Sequence, residues 1–200
     1  MMFYLVRAKL IAPLDPKEYA TEPKGLTKKK ILSILRQRYE ELSIRDIGYI
    51  VAILDCKVTS AEFLPLDRAL YVKVEADMIV FRPEEKEIVE GTISSVGQTS
   101  VYVDIGLLDA LLPVTKIGND VFKYDARTKS LKGLKTKTVI KKDDIVRAQI
   151  ESAELVLAPV IPAERKFPQK VVEPKYVYRV RLNAKVKGLG VFSHKKQVSE

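Results

Sequence analysis

The chain of 200 residues is 46% hydrophobic and 30% charged, which excludes an intrinsically disordered protein and allows one large domain or two small ones. No apolar run approaches the roughly 20 residues that span a bilayer, and the opening MMFYLVRAKLIAP lacks the cleavage site of a signal peptide, so we expect a cytoplasmic protein without a membrane segment. The single cysteine excludes an intramolecular disulfide and a multi-cysteine metal site.

Positive charge is concentrated in the second part of the chain. The formal net charge is +9; residues 1–85 carry 14 Lys and Arg against 13 Asp and Glu, whereas residues 86–200 carry 21 against 13. A basic part joined to a nearly neutral part suggests that one part contacts a polyanion and the other a protein. The alternative is that the basic surface only keeps the protein soluble.

The first 82 residues predict an α+β unit, in which one main helix packs on an antiparallel sheet. A strand, a loop, an amphipathic helix capped by Thr27 and two further strands are predicted in chain order, at residues 3–11, 12–26, 28–44, 49–55 and 70–81. Regular structure is expected to break around Pro65. Alternating apolar residues predict one buried face for the last strand, formed by Val72, Val74, Ala76, Met78 and Val80.

A charged break around Pro83 predicts a boundary between a first domain of residues 1–82 and a second of residues 83–190. Short strands with glycine at the turns are typical of a small closed OB barrel. We predict these strands at residues 87–95, 100–105, 110–112, 145–153 and 176–182.

Two long insertions interrupt the predicted barrel. Residues 118–144 are rich in lysine, and residues 154–175 contain four prolines and could contact another protein chain. Long excursions in a compact domain are usually functional or mobile. Residues 183–200 are basic and expected to fray, and we predict a flexible tail at 191–200.

Residues suited to catalysis are sparse. The only histidine, His194, lies in the predicted tail, and Cys56 closes an apolar strand as a small core residue. Asp143 and Asp144 precede a strand and are predicted to form a turn. Because no glycine-rich phosphate loop is present either, we predict no catalytic residue, no metal site and no cofactor.

Nucleic-acid binding requires cations for phosphates and flat side chains for bases, and an OB barrel can present both on one face. Tyr102 lies in the second predicted strand, and Arg179 and Arg181 share one face of the fifth. Tyr102 could instead belong to the barrel core, and the lysine-rich insertion could be a solvated hairpin. The candidate RNA-binding residues are Tyr102, Lys116, Lys123, Arg127, Arg147, Arg179 and Arg181.

Two sequence features together carry a family resemblance. The segment EIVEGTISSVGQTSVYVDIGLLDALLPVTKI resembles the RNA-binding OB domain first named from ribosomal protein S-one. It follows MFYLVRAKLIAP, ILRQRYEELSIRDIGYIVAI and YVKVEADMIVFRP, and NDVFKYDARTKSLKG and IKKDDIVRAQI come after it. In this order the chain resembles the family of archaeal RNA polymerase stalk subunits called E-prime, over residues 2–150 and 176–190. That family is the counterpart of the seventh subunit of eukaryotic RNA polymerase II.

The resemblance implies a ribonucleoprotein-like tip domain that docks on the polymerase core near the clamp, followed by an OB domain that contacts nascent single-stranded RNA. It also implies a smaller stalk partner, known in this family as the F subunit, bound along both domains, and no catalytic activity. The docking loop would consist of Ala61, Glu62, Phe63, Leu64, Pro65 and Leu66.

The sequence departs from this family at two places on the OB domain. Many members carry an aromatic residue and a glycine where Thr99 and Ser100 stand, and a histidine where Pro113 stands. Tyr102 remains, so charge becomes the main expected contribution to RNA binding.

A free-standing OB-fold RNA-binding factor in translation or RNA decay is the alternative. Such a protein would not need a nearly neutral first domain with an apolar loop, where Phe63 and Leu64 would be exposed without purpose. The missing catalytic constellations make an enzyme the third choice.

Overall fold

The structure is a computed structural model, which describes residues 2–19, 27–65, 67–157 and 176–192. Leu66, His194 and most of the 154–175 insertion therefore lie outside the described residues. The chain forms two compact units: Met1–Arg82 with Leu157–Val177, and Pro83–Val156 with Tyr178–Glu200. Within the described ranges, no helix is both long and apolar enough to cross a membrane.

The first unit is an antiparallel sheet with strand order β1-β4-β3-β2 and one main helix. Its elements are β1 (Phe3–Leu14), α1 (Pro16–Tyr19), α2 (Lys28–Tyr39), β2 (Ser43–Ile44), β3 (Gly48–Phe63) and β4 (Leu70–Phe81).

One face of this sheet packs against α2. The predicted buried face of β4 is confirmed, since alternate residues from Val72 to Val80 are at most 1% exposed. Ile31 and Leu35 of α2 join them in the core, as does Cys56, which confirms its prediction as a core residue.

Strand β3 departs from regular pairing at three bulges. At the bulge near Ile53, the backbone N–H donates to Glu40 Oε1 at 2.8 Å, and the carbonyl accepts from Arg36 Nε at 3.0 Å. Helix α2 and its C-cap thus satisfy backbone groups that the bulge withdraws from the ladder.

Several predicted boundaries in the first unit are wrong. Helix α2 ends at Tyr39 and not at residue 44, and Thr27 makes no side-chain capping hydrogen bond. The predicted loop at 12–26 contains the end of β1 and the short helix α1.

The second unit is a barrel with a small additional sheet. Strands β11, β5, β6, β7 and β12 are neighbours in that order, and β12 also pairs with β11, which closes five strands into the predicted OB barrel. The elements are β5 (Ile88–Val96), β6 (Ser100–Asp104), β7 (Asp109–Pro113), a 3-10 helix (Val114–Lys116), β8 (Phe122–Asp125), β9 (Ser130–Gly133), β10 (Val139–Ile140), β11 (Ile145–Leu157), β12 (Tyr176–Asn183) and β13 (Gly190–Phe192).

The lysine-rich insertion forms a three-stranded sheet, β8-β9-β10, which we call the lysine hairpin. The prediction of a free tail is wrong at its start, because Gly190–Phe192 pair with Ile145–Arg147 of β11. Residues 193–200 lie outside the described ranges.

Candidate nucleic-acid interface

Tyr102 lies on the outer surface of the barrel. Its neighbours in β6, Val101 and Val103, are at most 1% exposed, whereas the Tyr102 side chain is 46% exposed. The core interpretation of Tyr102 is therefore wrong, and its ring is available for contacts from solvent.

The strand register places Tyr102 in a row of outward-facing residues across four strands. Tyr102 is opposite Ser95 of β5 and Leu111 of β7, and Leu111 is opposite Arg181 of β12. Residues directly opposite share one face of a sheet. At a strand spacing of about 4.8 Å, the backbones at Tyr102 and Arg181 are about 10 Å apart. We call Ser95, Tyr102, Leu111 and Arg181 the aromatic row.

A bulge shapes β5 at one end of this row. The register between β5 and β6 shifts between Ile93 and Ser95, and the intervening Ser94 hydroxyl lies 3.3 Å from the Tyr102 carbonyl and 3.2 Å from Asp109 Oδ1. The extra residue increases the local twist, and the serine ties three strands together beside the aromatic row.

Arg179 adds a second cation to the outer face of β12. It stands two residues before Arg181, and both side chains are exposed. Neither makes an ion pair with another residue in the described ranges. Both guanidinium groups are therefore available for phosphates.

Two other predicted cations are already paired. Lys116 Nζ lies 2.6 Å from Glu151 Oε1, and Arg147 donates from Nε to Glu90. Arg147 also lies over the ring of Phe192, with its guanidinium carbon 5.5 Å from the ring centroid. Lys116 and Arg147 are therefore less available to a phosphate than Arg179 and Arg181 are.

Lys123 and Arg127 are exposed on the lysine hairpin, where carboxylates hold the backbone in place. Lys132 lies 2.9 Å from Asp125, which lowers the pKa of that carboxyl to about 2 with help from backbone N–H donors. Asp120 accepts hydrogen bonds from Thr136 and from nearby backbone N–H groups, which lower its pKa as well. Defined hydrogen bonds and an ion pair thus hold the lysine hairpin together. Its exposed lysines agree with the alternative prediction that residues 118–144 form a solvated hairpin.

The sequence did not reveal a second row beside the aromatic row, which contains two carboxylates and, opposite Asp109 on β12, the cation of Arg179. Asp104 is opposite Asp109 on β7 and Thr92 on β5, and all three residues are exposed. Asp104 Oδ1 accepts from the backbone of Gly106 at 2.8 Å. Only the register could have shown this row, because Thr92 is far from both carboxylates in the sequence.

The predicted docking loop is partly a strand. Ala61, Glu62 and Phe63 end β3 and are opposite Val72, Tyr71 and Leu70 of β4, so the loop prediction is wrong for these three residues. Lys73 holds Glu62 at 2.9 Å. Phe63 and Leu64 are 62% and 48% exposed, Pro65 is exposed, and Leu66 lies outside the described residues.

An open groove on the first unit was also not predicted. Its charges are largely matched, since Arg7 donates two hydrogen bonds to Asp77, and Lys28 contacts Asp55. The described residues contain no cluster of His, Cys, Asp and Glu that could hold a metal ion.

Residues 82–158 match the S1 RNA binding domain family. The chain is 39% identical over 155 residues to the DNA-directed RNA polymerase subunit Rpo7 of Sulfolobus acidocaldarius, with 77% of this chain and 82% of that relative covered. It is 28% identical over 108 residues to the RNA polymerase II subunit RPB7 of Saccharomyces cerevisiae, which covers 52% of this chain and 61% of the relative. Among solved structures, the apo form of Mycoplasma genitalium RNase R aligns with a TM-score of 0.33 and 26% identity, over 35% of this chain and 11% of that chain, which is too little to support an argument.

Proposed function

The chain belongs to the archaeal Rpo7 family of RNA polymerase subunits, and from that premise we propose that it pairs with a smaller stalk subunit, docks on the polymerase core near the clamp and binds nascent single-stranded RNA. It is a non-catalytic stalk subunit with an S1 RNA-binding domain. To this family membership the proposal adds the smaller stalk partner, the segment that docks on the polymerase core and the residues that contact RNA.

The RNA-binding part of the proposal depends on the aromatic row. Tyr102 offers an exposed ring for a base. Arg181, whose backbone lies about 10 Å from that of Tyr102, and Arg179, two residues before it on β12, offer cations for the adjoining phosphates. Lys123 and Arg127 on the lysine hairpin extend the basic surface. Lys116 and Arg147 contribute less, because an incoming phosphate must compete with a carboxylate for each of them.

Replacing the ring tests this surface. Tyr102→Ala removes a base–aromatic contact worth about 1–3 kcal/mol, so the affinity for fluorescein-labelled oligouridylate, measured by anisotropy, should fall by at least about fivefold. Tyr102→Phe keeps the ring and should bind nearly as the wild type does. Equal binding by all three proteins would contradict the role of Tyr102.

The docking part of the proposal is supported by Phe63 and Leu64, two large apolar side chains exposed at the end of β3. Apolar side chains grouped at a loop end are typical of a surface that a partner covers. The paired charges of Glu62 and Lys73 beside them give this end a polar rim.

Affinity purification of the tagged chain from its own cells, followed by mass spectrometry, tests the docking part. Recovery of one small subunit together with the large polymerase subunits is expected. Recovery of ribosomes or exonuclease subunits in their place would support the free-standing RNA-binding factor and contradict docking on the polymerase.

A further inference from the structure

Three large aliphatic side chains are exposed on one face of the lysine hairpin. Val121, Leu134 and Val139 are 60%, 62% and 44% exposed. Lys132 is opposite both Lys123 and Val139, and the Leu134 N–H donates to the Val121 carbonyl at 2.9 Å, which places that pair two positions further along the ladder. Residues two positions apart on a strand share a face, so the three side chains are neighbours. We call them the aliphatic patch.

The Asp120 carboxylate fixes the backbone that carries two of these side chains. Its Oδ1 accepts from the backbone N–H groups of Val121 at 2.6 Å and Lys135 at 3.1 Å. Its Oδ2 accepts from the backbone N–H and the hydroxyl of Thr136, at 2.9 and 2.6 Å. Gly133 makes room for this arrangement, because a Cβ there would overlap Asp120 Oδ2. The patch is therefore held in place before a partner arrives, which lowers the entropic cost of binding.

Positive charge surrounds the aliphatic patch. Residues 121–142 contain eight Lys and Arg against one carboxylate, Asp125, and all eight cations are exposed. Asp125 pairs with Lys132, and no other cation of this segment makes an ion pair within the described ranges. Exposed apolar side chains with a polar rim are typical of a surface that binds another protein.

We propose that the aliphatic patch binds a protein segment in which acidic and large apolar side chains are interleaved. Such a segment covers the aliphatic side chains and brings its carboxylates to the surrounding cations. This inference goes beyond the RNA-binding function and does not depend on it.

RNA is the less suitable occupant of this patch. Bases stack on rings, and the two rings of β8, Phe122 and Tyr124, alternate with Lys123 and therefore lie on the other face, where Tyr124 is opposite the buried Leu131. RNA phosphates would meet the cations but leave the aliphatic side chains uncovered. Lys123, proposed above as an RNA contact, borders the patch, so the two ligands would compete for it.

A pair of synthetic peptides tests the chemistry of the partner. In a fluorescein-labelled peptide of about 16 residues, Leu and Phe are spaced among Asp and Glu; a second peptide has serine in place of every apolar residue. Binding of each peptide to the full chain is measured by anisotropy at about 150 mM salt, where purely electrostatic contacts are weak. The mixed peptide should bind at least about tenfold more tightly than the serine peptide.

Polar substitutions test the position of the binding surface. Val121→Thr with Leu134→Gln should weaken binding of the mixed peptide about tenfold and leave binding of labelled oligouridylate unchanged. The matched control, Ile88→Thr with Leu157→Gln, changes side chains that are 60% and 57% exposed on other strands, and it should bind the peptide as the wild type does. Tyr102→Ala should weaken oligouridylate binding and leave peptide binding unchanged.

A further variant, Lys135→Gln with Lys137→Asn, tests the cations beside the patch. Both residues follow Leu134 closely, and asparagine tolerates the positive φ of Lys137. The backbone N–H of residue 135 that donates to Asp120 is kept. Removing the two charges should weaken binding of the mixed peptide about threefold at the same salt concentration.

Equal binding of the two peptides, or equal binding of the mixed peptide by the wild type and the Val121 and Leu134 variant, would overturn the proposed partner. If that variant loses as much affinity for oligouridylate as for the peptide, the patch is an RNA surface and the proposal is wrong. Unchanged peptide binding by the Lys135 and Lys137 variant would overturn the role of the cations. A chain that binds the mixed peptide through the patch but does not bind oligouridylate would support this inference and contradict the RNA-binding function.

Discussion

Neutralising Arg179 and Arg181 tests the electrostatic part of RNA binding. For a single strand, each phosphate that a protein neutralises contributes about 0.7 to the slope of log affinity against log salt. If each of these two exposed arginines contacts one phosphate, Arg179→Gln with Arg181→Gln lowers the slope by about 1.4. Raising the salt from about 50 to about 200 mM should then weaken wild-type binding about sevenfold more than it weakens binding by the double variant.

The matched control makes the same change in charge at Lys116 and Arg147. Their carboxylate partners already neutralise them, so Lys116→Gln with Arg147→Gln should lower the slope by less than half as much. Both variants are titrated with labelled oligouridylate at four or more salt concentrations. If the salt slope of the Lys116 and Arg147 variant falls as far as that of the Arg179 and Arg181 variant, the distinction between paired and unpaired cations is refuted.

Three further predictions concern folding and docking. Gly91→Ala would bring a Cβ into overlap with the backbone carbonyl oxygen of Asp104, so the free energy of unfolding in urea should fall by about 1–3 kcal/mol, while Gly118→Ala, with nothing within 4 Å, should leave it unchanged. The pKa of Asp125 is lowered to about 2, so the carboxylate stabilises the lysine hairpin above pH 4 and this contribution is lost as the pH falls toward 2; hydrogen exchange of the hairpin should show the change, and Asp125→Asn should abolish it. Phe63→Ser with Leu64→Ser should cost roughly 2 kcal/mol or more of binding to the polymerase core and leave the melting temperature unchanged, and unaltered copurification would contradict docking through this end of β3.

Strand β4 was predictable because its burial alternates without a break from Val72 to Val80 and one face packs on the helix. Strand β3 was not, because its bulges shift the alternation and its pairing then continues to Phe63, well beyond the apolar run that ends at Asp55. The groups that stabilise one of those bulges belong to Arg36 and Glu40, and no local sequence pattern indicates these contacts with Ile53.

The candidate surface also has features that the sequence predicted and features that it could not predict. The sequence identified Tyr102 as a candidate, but VYVD is apolar at three consecutive positions, so the alternation alone could not decide which face of β6 is buried. Pairing of Arg147 with Glu90 joins residues 57 positions apart, and the position of Leu111 opposite Tyr102 and Arg181 depends on register with two other strands. These features come from the pairing of distant segments, which local patterns in a single sequence do not reveal.

Cross-linking of a nascent transcript in stalled elongation complexes tests the central claim most directly. The complexes are purified through the tagged chain, and 4-thiouridine is placed in the RNA at successive distances from the exit of the polymerase. We predict a cross-link to this chain that Tyr102→Ala with Arg181→Gln largely removes while the variant stays in the complex. A chain that copurifies with the polymerase but cross-links to the transcript equally well with and without these two side chains would contradict the account.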